Sequence, residues 1–146
     1  MNKTHEDFMK VAMREAVRAL ENEEVPVGAI VVMNNRIIGK GFNQVEMLHD
    51  PTAHAEMIAI TAACNTLGGK YMTDATLYVT VEPCTMCCGA LYWSKISRVV
   101  YGASDPKHGG LSLHGNLLHP KTEIICGIMA DECGALMTDF FKSKRN

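Results

Sequence analysis

The 146-residue chain has no apolar run long enough to cross a membrane. Its start, Met1-Asn2-Lys3-Thr4-His5-Glu6-Asp7, is polar and then amphipathic, unlike a signal peptide. Low-complexity linkers and internal repeats are also missing, so the expectation is one domain, 1–146, long enough to bury a real core. There is no excess of positive charge either. Fourteen Lys and Arg against sixteen Asp and Glu leave a net charge of -2, so any nucleic-acid contact must rest on local patches. Apolar residues at 47% and charged residues at 21% are ordinary globular values. The chain does have six cysteines, and without a secretion signal they imply a reducing compartment, the cytoplasm, and metal chemistry. Its ten methionines scatter among predicted helices and read as core filler.

The cysteines gain meaning from their neighbours. His54-Ala55-Glu56 is followed downstream by Pro83-Cys84-Thr85-Met86-Cys87. One histidine and two cysteines in that order make a three-ligand zinc set, which leaves the fourth tetrahedral position to water as in a catalytic site. The arrangement resembles the H-x-E…P-C-x-x-C pattern of the zinc-dependent nucleobase deaminases. Hydrolytic deamination replaces an exocyclic amine by oxygen, so it needs a strong oxygen nucleophile near neutral pH. Zinc lowers the pKa of its bound water to about 7. A carboxylate must then carry a proton from that water to the ring nitrogen and on to the departing ammonia. Glu56 is the candidate, acting as base and then acid rather than as a ligand. Alone, a histidine or cysteine on a helix is usually packing, and C-x-x-C also describes a redox pair or half a structural zinc site. The combination is the specific signal. Cys64, Cys88, Cys126 and Cys133 fall outside it and read as small core residues.

A coarse pass places these residues on elements. Phe8, Val11, Ala12, Ala16, Ala19 and Leu20 mark an amphipathic first helix, with Thr4 as its cap. Val27 to Met33 and Arg36 to Phe42 read as strands joined by a hairpin at Asn34-Asn35. Thr52 is expected to cap a helix running to Gly68-Gly69, with His54 and Glu56 in its first turn. Residues 76–81 alternate as a strand, and Pro83 suits the first position of a second zinc helix ending near Trp93. Cys84 and Cys87 would share one face of that helix, near an N-terminus whose dipole favours thiolates. Arg98 to Gly102 is a fourth strand, 104–116 a loop, and Glu123 to Ile128 a fifth strand. Asp131 to Lys144 closes the chain as a helix with Ala135, Leu136, Phe140 and Phe141 on its apolar side. Strands alternating with helices imply an α/β fold, a mixed sheet covered on both faces.

Over nearly its whole length the chain resembles the bacterial tRNA-specific adenosine deaminases of the cytidine deaminase-like superfamily. The resemblance rests on Glu24-Val25-Pro26-Val27-Gly28-Ala29, His49 to Glu56, Leu77 to Cys87, Arg98 to Ala103 and Asp131 to Phe141. It implies a three-layer α/β/α sandwich around a five-stranded mixed sheet, a homodimer, and one Zn2+ per subunit. The implied reaction converts adenosine to inosine at the wobble position of a tRNA anticodon stem-loop. By position, His54, Cys84 and Cys87 would bind zinc and Glu56 would shuttle protons. Asn43 would hydrogen-bond the purine, the Ala55 N–H would help hold the base, and Val27 and the strand end near Val81 would form apolar walls. Asp105 matches a contact to a flanking sugar and Lys107 a contact to phosphate. Asn43 and Asp105-Pro106 equally suit ordinary turns.

Phe140 to Arg145 offers the cations Lys142, Lys144 and Arg145 for RNA phosphates and two rings for stacking on splayed bases, or else a solvated helix end whose phenylalanines are buried; the phenylalanines read mainly as core. One stretch departs from the family. After Lys107, the segment His108 to Thr122 is shorter and worded differently, near the expected substrate mouth. Two alternatives accompany the tRNA assignment. One is an enzyme on a free base or nucleoside, of guanine or cytosine type, since the superfamily shares the zinc site and Tyr92-Trp93 is similar to guanine deaminase relatives. The other is a zinc-stabilised RNA-binding module, which would have no use for Glu56.

Overall fold

The computed structural model describes residues 3–145, so Met1, Asn2 and Asn146 of the expected domain lie outside the described residues. Helix α1 spans His5–Glu21 and starts in a capping box. The Thr4 hydroxyl accepts from Asp7 N at 3.1 Å, and the Asp7 carboxylate accepts from Thr4 N at 2.9 Å. Strands β1 (Gly28–Met33) and β2 (Arg36–Phe42) form the expected hairpin. Asn34 and Asn35 both adopt positive φ, at 51° and 62°, which suits a turn matched to strand twist. The short helix α2 (Val45–Leu48) precedes α3 (Ala55–Leu67), β3 (Ala75–Val81) and α4 (Thr85–Ser94). Then come β4 (Arg98–Ala103), the short α5 (Gly110–His114), β5 (Glu123–Cys126) and α6 (Ala130–Lys144). Among the described residues no helix is long and apolar enough to cross a membrane.

The five strands lie in the order β2-β1-β3-β4-β5. β1 runs antiparallel to β2 and β3, whereas β3, β4 and β5 are parallel. This is the mixed sheet expected from the sequence. Alternate residues of the central strands feed two cores. Val31, Leu77, Val79 and Val99 meet α3 and α4 on one face. Ile30, Tyr78 and Val100 meet α1 and α6 on the other. The α3 layer is unusually close because both surfaces are stripped of side chain. Ala55, Ala59 and Ala63 are fully buried, and they lie over Gly39 and Gly41 of β2. A Cβ on Gly41 would meet the Ala55 carbonyl and stand 2.7 Å from Ala59 N.

Several boundaries differ from expectation for local reasons. Thr52 does not cap α3: its N–H and hydroxyl both donate to Asp50 Oδ1, at 2.8 and 2.7 Å, which closes a turn instead. His54 is the N-cap, so it precedes the first turn that was expected to hold it. Likewise α4 begins at Thr85 with Cys84 as N-cap, so Pro83 lies outside the helix. The 104–116 stretch contains α5, too short for a helical period to show. β5 stops at Cys126 because Gly127 turns the chain at φ 86°. Being on an edge strand, Cys126 is exposed rather than core, and Cys64 is half-buried, whereas Cys88 and Cys133 are fully buried. Leu20, Ala135 and Phe141 are also exposed, so only part of each expected apolar stripe packs.

Replacing Gly41 by alanine is expected to cost about 1–3 kcal/mol through overpacking. A protein of this size should then lose roughly 2–10 °C in its thermal midpoint, read by calorimetry.

Candidate metal centre and substrate cleft

Two helix N-termini converge at one end of the sheet. His54 and Cys84 are the N-caps of α3 and α4, and neither side chain makes a capping hydrogen bond to its own helix. Both are therefore free to turn toward a shared point, where Cys87 joins them from the first turn of α4. His54 Nδ1 lies 3.5 Å from Cys84 Sγ and 3.6 Å from Cys87 Sγ. All three donor atoms fall within 4.8 Å of one another. A tetrahedral zinc with bonds of about 2.0 Å to nitrogen and 2.3 Å to sulfur has nitrogen–sulfur edges of about 3.5 Å. The donor set and its spacing therefore fit zinc with one position left over. Cys87 is fully buried, while His54 and Cys84 are half-buried and border the cleft.

A hydrogen bond from Cys87, and a further one from His54, pull the Cys84 thiol down to about 4. The same pairing with Cys84, together with burial, pushes the Cys87 thiol up. One thiolate thus opposes the other, and a divalent cation removes that opposition. The Cys84 contact also raises the His54 imidazole above its usual value. Glu56, next along α3, is only 4% exposed. Burial pushes its carboxyl up to about 7, where it can both take and give a proton near neutrality.

Outward from these groups runs an open cleft of about 1250 Å³. Its wall includes Val27, Asn43, Ala55, Val81, Asp105 and Lys107, the substrate residues expected from the sequence. Lys144 and Arg145 reach its rim from the end of α6, but Lys142 is not on it. Asn43 and Asp105 also close turns. The Asn43 amide donates to Val25 O at 3.3 Å and accepts from Val45 N at 3.4 Å. Asp105 Oδ1 accepts from Lys107 N and His108 N at 3.2 and 3.1 Å. Among the lining residues that the sequence did not single out for the site are two buried acids, Glu24 and Glu82. An acid ending an apolar strand directly before Pro83-Cys84 was the available signal for Glu82.

Residues 2–103 match the zinc-binding region of the cytidine and deoxycytidylate deaminases. The chain is similar to the tRNA-specific adenosine deaminase of Aquifex aeolicus (strain VF5), at 49% identity over 97% of this chain and 96% of the relative. It is also similar to a solved structure from work on A-to-I editing by tRNA:A34 deaminases at the wobble position of transfer RNA. That match has a TM-score of 0.83 and 38% identity, covering 89% of this chain and 98% of the other. A solved guanine deaminase from Bacillus subtilis aligns with a TM-score of 0.67 and 41% identity, over 70% of this chain and 66% of its own.

Replacing Cys84 by serine weakens a soft ligand while keeping its shape. Elemental analysis is expected to show zinc well below one equivalent per chain; full occupancy would remove Cys84 from the ligand set.

Proposed function

The chain belongs to the tRNA-specific adenosine deaminases within the zinc-binding cytidine and deoxycytidylate deaminase family, and we propose on that premise that it deaminates adenosine to inosine in the wobble position of a tRNA anticodon loop. The observation that carries the proposal is the placement of Glu56: a buried carboxyl beside an open three-donor metal set, on a cleft whose lining also includes Lys107, Lys144 and Arg145. His54, Cys84 and Cys87 would hold zinc, which supplies Lewis acidity and an activated water near pH 7. Glu56 takes the proton of the attacking water and delivers it to N1 of the adenine as C6 becomes tetrahedral. The carboxylate so regenerated takes the proton of the new C6 hydroxyl and passes it to the amine, which leaves as ammonia as the C6–N bond breaks and the C6 oxygen becomes the carbonyl of inosine.

The surrounding residues orient the base. The Ala55 N–H sits at the start of α3, where backbone donors have no intrahelical partner. It is available to the base, as is the remaining hydrogen-bonding capacity of Asn43. Val27 and Val81 flank the ring and exclude water. A cleft this size exceeds what a free base fills. Lys107, Lys144 and Arg145 supply positive charge for flanking phosphates, and Phe141 an exposed ring for stacking. Loop bases are already partly unstacked, so extrusion costs less than from a duplex.

A homodimer belongs to the same proposal. Trp93 is 72% exposed, and Tyr92 and Leu113 are also open to solvent on neighbouring helices α4 and α5, which suits an interface. All six cysteines are free thiols, in keeping with work in the cytoplasm. The likeness to a guanine deaminase favours a free base as the second assignment.

Ammonia release from the zinc-loaded protein separates the two. Turnover of an anticodon stem-loop with adenosine at the wobble position, and none of free adenosine, guanine or cytosine, is the expected result. Turnover of a free base alone would overturn the tRNA assignment. Glu56→Ala is expected to keep fold and zinc while kcat falls at least about a hundredfold. Removing Lys144 and Arg145 together should flatten the salt dependence of stem-loop binding by roughly one and a half units of logarithmic slope. Removing Lys142 should leave it unchanged.

A further inference from the structure

Two buried carboxylates on the cleft take no part in the chemistry above. Glu82, just past the end of β3, is 4% exposed, and Glu24 is 1% exposed. Neither is in any ion pair among the described residues. A buried carboxylate without a cation must be satisfied by hydrogen-bond donors, and the donors here come from far along the chain. Glu82 Oε1 accepts from Asp105 N at 3.1 Å and from the Ser112 hydroxyl at 2.7 Å. Its other oxygen accepts from Ser112 N at 2.8 Å. The chain between Asp105 and Ser112 is thus wrapped around a single charged group. Gly109 lies so close that a Cβ there would collide with the same carboxylate. The wrap is tied to the chain entering α4 as well, because Gly110 N donates to Pro83 O at 2.8 Å. On the opposite wall Glu24 acts alike, accepting from Glu46 N at 3.0 Å and Met47 N at 2.7 Å beside the Asn43 turn.

We infer that Glu82 is a positioning residue for the substrate: its buried carboxylate fixes the 105–112 segment so that Asp105 and Lys107 face the cleft, and it thereby governs recognition of the nucleotides flanking the target. It acts through that segment and not on the reacting atoms. The second half of the segment, His108 to Ser112, falls in the stretch read from the sequence as departing from the family. The inference rests on the proposed tRNA substrate, but the anchoring can be read without any substrate.

The test uses the zinc-loaded full chain carrying Glu82→Gln, and separately Ser112→Ala. The amide variant turns an N–H2 group toward donors, whereas Ser112 is exposed and its replacement removes one hydrogen bond only. Amide hydrogen exchange over 104–113 is expected to rise about tenfold in Glu82→Gln, with α3 and β3 unchanged. KM for the stem-loop is expected to rise about tenfold, with kcat within about twofold and zinc content intact. Ser112→Ala should show the same split, weaker. Unchanged exchange at 104–113, or a fall in kcat at constant KM, would overturn the positioning role. If Glu82→Gln does not fold, Ser112→Ala decides alone, and wild-type exchange and KM in that variant would overturn it. Should the wild type release ammonia from guanine and not from the stem-loop, the tRNA assignment falls, and the anchoring stands or falls on the exchange data.

Discussion

The structure depends on two helices being brought nose to nose. Zinc needs three donors about 3.5 Å apart, and here they come from residues separated by thirty positions in the chain: His54 before α3, and Cys84 and Cys87 at the start of α4. A helix N-terminus is a suitable place for a thiolate, because the unsatisfied amides and the dipole favour negative charge. It also imposes a conflict. An N-cap side chain normally accepts from its own helix, yet His54 and Cys84 make no such bond. Each helix therefore gives up a stabilising cap at the point where a metal ligand is required, and neighbouring contacts hold the termini in place.

That support is visible on both helices. α3 is seated on β2 by a seam of alanines against glycines, which allows backbone to approach backbone and fixes the height of its first turn. Asp50 and Thr52 close the turn that enters it. α4 is anchored by Pro83 and Gly110, and so by the segment that Glu82 organises. The metal-binding residues sit on rigid elements at the end of the sheet, while Asn43, Asp105 and Lys107 of the proposed recognition surface sit beside loops held by the buried carboxylates of Glu24 and Glu82. Such a division lets the loops vary without disturbing the proton chemistry at Glu56.

What was readable in the sequence follows the same division. The hairpin at Asn34-Asn35, the Thr4 cap, the layer architecture and the ligand triad are all written in local patterns of a few residues. The errors arise where two local signals compete or where the deciding contact is distant. Thr52 looks like a cap, but Asp50 two residues earlier takes its hydrogen bonds. Pro83 looks like a first helical residue, but Cys84 is needed as the cap so that its sulfur can face His54. Cys126 and Phe141 look apolar, but an edge strand and the outer side of a terminal helix leave them in solvent. Glu24 and Glu82 passed unnoticed as site residues because their partners lie 22 to 30 residues away. No periodicity reports a charge whose only role is to bind distant amides.

These distant contacts bear on specificity more than on reaction type. A three-ligand metal set with a buried glutamate serves any nucleobase amine, so the centre alone does not choose between a free purine and a nucleotide in RNA. The choice is made further out, where the cleft stays wide and its cations, Lys107, Lys144 and Arg145, come from two separate parts of the chain. A free base carries no phosphate for them to neutralise, so their placement gains binding energy only from a substrate with a backbone. Lys107 can contribute only if its loop is held still, because ordering a mobile loop on binding would consume part of that energy. On the inference drawn for Glu82, that residue serves recognition of RNA rather than deamination, although it adjoins the metal motif in the sequence.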